Sequence, residues 1–351
     1  MNMRSPLAIG GLLLIAVTTG LAGGYTWYWH QLSDGLQEGL KVWLDQRRAD
    51  GLLAEGGAVE TDGFPFSIKA SIASLTLGRG DKGETGYWRW QAQNINATLD
   101  PADPWHIRIT TAAPVAGEFT DPSGTVRQLQ ATARSATGVV SVARTGRLTA
   151  IDTAFTTLTL TGSALAGPVQ AEQLTARLKA GPPPTAANAR NTEVDIQGNK
   201  LQLPANIDPM FGDTVDVFRL QATMSGQLPL AWSRPHITAW RNNGGSVDLT
   251  RARVKWGSLD LVAGGTVALD ALMRPQGSGT ATVRGHNESI RSLADRQLIT
   301  PLNAAALTIG LNMMGRTENG AIKIPVSARD GRLKIGTVAS TRLKPLQFPG
   351  D

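Results

Sequence analysis

Gly78-x-Gly80-x-x-Gly83 has the spacing of a dinucleotide-binding turn. That turn works when a strand precedes it and a helix follows, because the helix N-terminus holds the pyrophosphate. Here the alternation of Trp88, Trp90 and Ala92 follows instead, so the segment reads as a hairpin loop. The four histidines, His30, His106, His236 and His286, show no ligand spacing, and no HExxH occurs. With no cysteine in the chain there is no structural zinc site to expect. Neither a GxSxG elbow nor a P-loop is present, and the acidic residues are scattered. The chain is therefore expected to be a non-enzyme, with no catalytic, cofactor-binding or metal-binding residues.

Arg251, Arg253 and Lys255 alternate with Ala252, Val254 and Trp256. On a strand the basic side chains share one face and the apolar ones the other. Such a strip suits anionic lipid headgroups or the rim of a lipid-binding groove. Its simpler reading is a solvated outer face. Nucleic acid would call for denser basic clusters with exposed aromatics. Gly63, Phe64, Pro65 and Phe66 form a second marked group. Proline suits the first position of an edge strand, and the two phenylalanines are expected to clamp its entry. That group reads as a structural corner and not as a site.

These residues need elements to carry them. Residues 7–29 contain no charged side chain, and only Arg4 is charged before them. A run of that length is expected to cross a bilayer as one helix, with Tyr25, Trp27, Tyr28 and Trp29 as an aromatic collar at headgroup level. A cleaved signal peptide is the competing reading. The expected arrangement is a short cytoplasmic tail and anchor (1–29), an amphipathic helical stalk (30–56) and an ectodomain. The bulk is expected in the periplasm, anchored in a bacterial inner membrane. The orientation has weak support, since Lys41, Arg47 and Arg48 follow the run. Absence of cysteine suits an oxidising compartment. A formal charge of +6 favours anionic surroundings.

Beyond residue 57 the period changes from helical to two. Phe66, Ile68, Ala70 and Ile72 give way to Leu75 and Leu77. Trp88, Trp90 and Ala92 give way to Ile95, Ala97 and Leu99. Each change of parity predicts a β-bulge or a strand break. Residues 246–269 read as a meander with turns at Gly257 and at Gly264-Gly265. Helices are expected over 288–299 and 301–314, the second capped by Thr300-Pro301 and stopped by Gly315. A hairpin turning at Asp330-Gly331 is expected to close the chain. The proline-rich segment 181–191 is expected to be a seam between β-rich halves at 57–180 and 192–351, or a long loop within one domain. The fold expected is mainly antiparallel β, as a curved sheet or stacked sheets, with one or two late helices packed on it. The deciding question is whether the body has a filled core or an open groove lined by residues such as Trp90, Ile107, Val254 and Trp256.

One ordered set of motifs carries a family resemblance. It runs Asp62-Gly63-Phe64-Pro65-Phe66, Trp240-x-x-x-Gly244-Gly245, Lys255-Trp256-Gly257-x-Leu259, Leu269-Asp270, Arg274-Pro275-x-Gly277 and Asp330-Gly331-x-Leu333-x-Ile335-Gly336. The set resembles a bacterial envelope family, domain of unknown function 2125, over nearly the whole chain. The Gly-Phe-Pro-Phe entry is also similar to entry strands of AsmA-like proteins, anchored envelope proteins with long β-rich bodies. The resemblance implies an inner-membrane anchor and a periplasmic domain. Lipid binding or transfer, or envelope maintenance, is the leading expectation. A scaffold for other envelope proteins is the second, and an enzyme without a recognisable motif the third. The expected partners are the membrane, and lipid or envelope proteins, with no nucleic acid.

Overall fold

The computed structural model describes residues 6–84, 86–111, 114–121, 123–181, 190–204, 211–226, 233–313, 320–336 and 339–348. Side chains are described at all of these except 6–20, 190–191, 312–313 and 339–340. The Gly315 helix stop and most of the 181–191 seam lie outside the described residues.

The segments expected as anchor and stalk lie in one continuous helix, α1, Pro6–Ala49. Its last turn carries Arg47 and Arg48, the charge sign the C-terminal end of the helix dipole favours. Gly51, at φ 77°, ends the helical segment, so the helix stops short of the expected residue 56. Among the described residues no helix is long and apolar enough to cross a membrane.

Strands follow in pairs. β1 (Leu53–Gly56) and β2 (Val59–Asp62) pair in tandem with the two halves of β3 (Ile68–Arg79). β4 (Trp88–Asp100) pairs next with β5 (Asp103–Thr111) and β6 (Val115–Thr120), which act together as one interrupted strand. Then come β7 (Val126–Val142), β8 (Leu148–Thr161), β9 (Val169–Ala180), β10 (Arg190–Gln202) and β11 (Thr214–Ser225). Helix α2 (Arg234–Asn242) leads to β12 (Ser246–Trp256), β13 (Leu259–Leu269) and β14 (Pro275–Arg284). Helices α3 (His286–Asp295) and α4 (Pro301–Met313) precede β15 (Ile322–Arg329), β16 (Arg332–Ile335) and β17 (Ala339–Arg342).

From β3 to β17 the pairs join into one antiparallel meander, so the stacked-sheet alternative does not occur. The sheet continues across the proline-rich segment, where β9 and β10 pair from Thr192–Ala180 to Gln202–Gln170. The final hairpin is as expected: Asp330 (φ 54°) and Gly331 (φ 70°) form the two-residue turn between Arg329 and Arg332.

Parity changes inside unbroken strands. On β4 the backbone of Asn94 takes φ 51° and the ladder skips it, so Ile95, Ala97 and Leu99 become the buried set. The same skip crosses β7 to β11 in register, at Arg134, Thr157, Glu172, Lys200 and Asp216. A seam of polar residues therefore creases the sheet, and Lys200 Nζ meets Asp216 at 2.7 Å on it. At β12 the change is a bulge at Thr250, between Ala222–Leu249 and Gln221–Arg251. Gly264-Gly265 lies within β13 and is not a turn, because Gly265 pairs with both Leu249 and Gly279.

The cores sit at the ends of the sheet. Trp29, Ile68 and Leu99 form one, with Leu32, Leu36 and Ile107 packed against it. The expected aromatic collar is thus partly a docking device. Trp29 is 5% exposed. Its Nε1 donates to Ser67 O at 3.0 Å, and the Tyr28 hydroxyl donates to Pro101 O at 2.9 Å. Aromatic rings repay burial with large apolar area, and their polar tips need partners. The second core is Ile237, Met273 and Phe348, with Trp240, Leu269 and Leu346. It hangs on the β13–β14 turn, where the Asp270 carboxylate accepts from the backbone N–H of Leu272 (2.9 Å) and of Arg274 (2.8 Å) and from Arg274 Nε (2.7 Å). Late helices appear where expected, and Thr300 Oγ1 caps α4 at Asn303 N, 3.2 Å away. Of these two late helices, α3 packs against β13 and α4 packs on α3.

Trp29→Ala is expected to cost about 3–5 kcal/mol locally. Hydrogen exchange of the full chain should show lost protection in β2–β4 and retained protection in β12–β14. Asp270 carries a pH dependence. Burial works to raise its pKa, but the three hydrogen bonds from Arg274 and Leu272 outweigh it and hold it below the ordinary carboxylate value. The unfolded chain then takes up the proton first, near pH ~3.9. The contribution is complete above that value and is lost as pH falls through the lower folded pKa. Melting curves between pH 5 and 2.5 should fall less steeply for Asp270→Asn than for the parent.

Candidate functional site: an uncovered apolar sheet face

Strand pairing places one apolar residue opposite another through thirteen strands. The row runs through Ile68, Leu99, Ile107, Val140, Ile151, Leu178 and Val194. It continues through Ala222, Leu249, Gly265, Gly279, Val326 and Ile335. At ~4.8 Å per strand the row spans about 58 Å. A parallel row through Phe155, Leu174, Gly198, Phe218, Val254, Leu261, Val283 and Ile322 lies nearby. Side chains alternate faces along a strand, so both rows share one face of the sheet.

Helix α1 covers the first strands of that face. Beyond it nothing among the described residues fills the face. From β7 to β14 the row residues with side chains are half-buried, as neighbours on a sheet with nothing stacked over them would be. The chain exposes 21726 Å². That is about 1.6 times the roughly 13,600 Å² expected of a compact monomer of this mass. Among the described residues the body presents an open apolar face and not a closed core.

The opposite face is polar. Asp152, Arg177, Asp195, Gln221 and Arg251 form a directly paired row there. Arg177 pairs with Asp152, which raises the guanidinium pKa through their hydrogen bond and charge. Asp195 accepts from Gln221 Nε2 at 2.8 Å and from Gln197 Nε2 at 3.1 Å, and Arg219 lies 3.4 Å away. These partners overcome the desolvation that would raise its pKa and leave it low. A hollow of about 360 Å³ lies on this face, lined by Asp152, Arg177, Asp195 and Gln197 among others. Its charges already satisfy one another, which leaves little to recognise a ligand.

The smaller hollow is the better candidate. It holds about 240 Å³ on the apolar face, walled by Leu249, Val267, Val326, Ala328, Leu333 and Leu343 and floored by Gly265, Gly277 and Gly279. The floor must be glycine. A Cβ on Gly279 would sit 2.4 Å from Gly264 O, and one on Gly277 2.0 Å from Thr266 O. Sequence reasoning took Gly264-Gly265 as a turn and passed over this floor. The period-two spacing of Gly277 and Gly279 was its available signal.

Arg251, Arg253 and Lys255 do share a face, but it is the polar one, away from the groove. Arg253 is held by both carboxylate oxygens of Asp260, at 3.0 and 2.9 Å, while Arg251 and Lys255 are exposed. Of the residues expected to line a groove, Ile107 and Val254 lie in the apolar rows. Trp256 Nε1 donates to Gly212 O at 2.6 Å, and its ring meets Phe211 edge-on. Trp90 lies over Gly117, where a Cβ would come within 2.5 Å of the ring. The corner at Gly63, Phe64, Pro65 and Phe66 has a cis Phe64–Pro65 bond. Phe64 packs edge-on against Trp29 with centroids 5.5 Å apart, as a clamp should. Phe66 does not clamp; it is 87% exposed, and β3 begins only at Ile68. Helix α2 was missed, although Ser233-Arg234-Pro235 is a start signal. His106 Nδ1 lies 2.8 Å from Asp103 and His236 Nδ1 lies 2.7 Å from Ser233 Oγ. No cluster of three metal-ligating side chains occurs among the described residues.

Fold and face together define a single-sheet β protein with one polar face and one open apolar face. The chain belongs to the family described as uncharacterized protein conserved in bacteria, DUF2125, whose model matches residues 29–343. The match begins at Trp29, the residue that docks α1 on the sheet. No curated protein and no solved structure matched the chain.

Gly279→Ala is expected to overpack the floor at a cost of about 1–3 kcal/mol. Thermal unfolding of the full chain checks this, and an unchanged midpoint would contradict the close approach.

Proposed function

We propose that this protein is tethered to the bacterial inner membrane by residues 7–24 and carries lipid acyl chains along its apolar sheet face. The carrying observation is the uncovered apolar row through thirteen strands. A face of that extent is unusual in a soluble monomer and calls for an apolar occupant. The row carries no charge, so hydrocarbon suits it better than a charged or polar ligand. The polar face answers to water. Residues 7–24 are uncharged and belong to the same helix that docks on the groove's first strands. With the short tail inside, the body lies in the periplasm, where absence of cysteine carries no risk of mispairing. The reading needs no catalytic group.

Phe155 and Phe218 lie in the apolar rows, and Arg251 on the other face. A benzophenone amino acid placed at 155 or 218 and irradiated in cells should give lipid adducts by mass spectrometry. The same residue at 251 should give few. Adducts with protein alone at 155 and 218 would replace lipid transport with a scaffold. Equal lipid labelling at all three positions would defeat the groove.

A further inference from the structure

We propose that the rim of the sheet bearing the 63–67 loop lies in the headgroup layer of the bilayer, with Phe66 and Trp27 inserted among the lipids. This rests on the anchor reading above. The antiparallel meander sends alternate turns to opposite rims. The 63–67 loop, the 100–103 turn, the 143–147 turn and the 270–274 turn share one rim, and α3 and α4 lie at the other. Helix α1 leaves the body at the first of these. The Tyr25 hydroxyl donates to Pro65 O, and Trp29 Nε1 to Ser67 O, so the 63–67 loop is level with residues 25–29 of the helix. Residues 7–24 rise about 27 Å as helix. A hydrocarbon layer of ~30 Å then leaves the turn at residues 25–28 at its edge, and the loop beside that turn meets the same depth.

The side chains there suit that depth. Phe66 is 87% exposed and Trp27 66%, although both are costly to leave in water. Trp105 and Leu272 are exposed on the same rim. Arg144 and Arg147, in the 143–147 turn, are exposed on that rim as well. Aromatic residues favour the headgroup level, and cations favour anionic lipid. The strands then stand upright on the membrane, and the apolar rows run parallel to its surface. Near the rim, the row through Ile68 and Ile335 is the one closest to the lipid.

The chain has no cysteine, so one introduced thiol labels one place. Nitroxide is attached to Leu14→Cys, Phe66→Cys and Arg291→Cys in the full chain, reconstituted in vesicles of phosphatidylethanolamine and phosphatidylglycerol. Collision with oxygen is compared with collision with a water-soluble nickel chelate. Oxygen should dominate at 14 and 66, and the chelate at 291, which is exposed on α3 at the far rim. Oxygen at 14 with chelate at 66 overturns the rim contact and leaves the anchor standing. Chelate at 14 overturns the anchor, and the rim contact with it. Oxygen at 291 overturns the orientation.

Discussion

Everything in this molecule depends on register. Period two means that a slip of one residue moves every apolar side chain of a strand to the opposite face. Twelve successive pairings keep an apolar residue facing an apolar residue, and beyond α1 no stacked layer among the described residues enforces them. The irregularities are what preserve the match. Without the bulge at Thr250, Leu249 and Arg251 would share a face. Without the skipped positions from Arg134 to Asp216, the two halves of each long strand would present apolar residues on different sides.

The charges of the other face follow from the same constraint. Arg219 and Arg253 stand directly opposite each other, a repulsive pairing on adjacent strands. Asp195 lies against one and Asp260 grips the other, so the strands can pair. Exposed ion pairs contribute little to stability individually. Their value here is that they keep one face wet, so the sheet has a single apolar side. The cores at the ends differ in kind. At one, a helix lies across β3 and hides the start of the groove. At the other, a carboxylate-built turn pushes Met273 against Ile237 and Phe348.

The β-rich class, the final hairpin, the late helices and the changes of parity were legible in the residues. Alternation is a local property, and Trp88, Trp90, Ala92 followed by Ile95, Ala97, Leu99 displays it openly. The cause of each change was not legible. A bulge, an αL residue such as Asn94 and a strand break leave the same trace in sequence. The candidate face was half legible: Val254 and Ile107 announce apolar strands, but only pairing shows that they belong to rows on one side. Gly264-Gly265 misled because glycine serves both turns and close backbone approach. Phe66 misled because apolar type was taken for burial. The cut at residue 181 reflected composition, whereas β9 and β10 pair across it.

Nearly every strand bonds to its neighbour in sequence, and the one long arc back is α1 lying on β3. Such a sheet is a zipper. Each hairpin, once synthesised, finds its partner already in place, and no strand must wait for the C-terminus to arrive. The helix that emerges first supplies the template surface on which the first strands settle. The order of synthesis and the order of assembly are the same, and the slow search for distant partners that burdens most large β proteins does not arise.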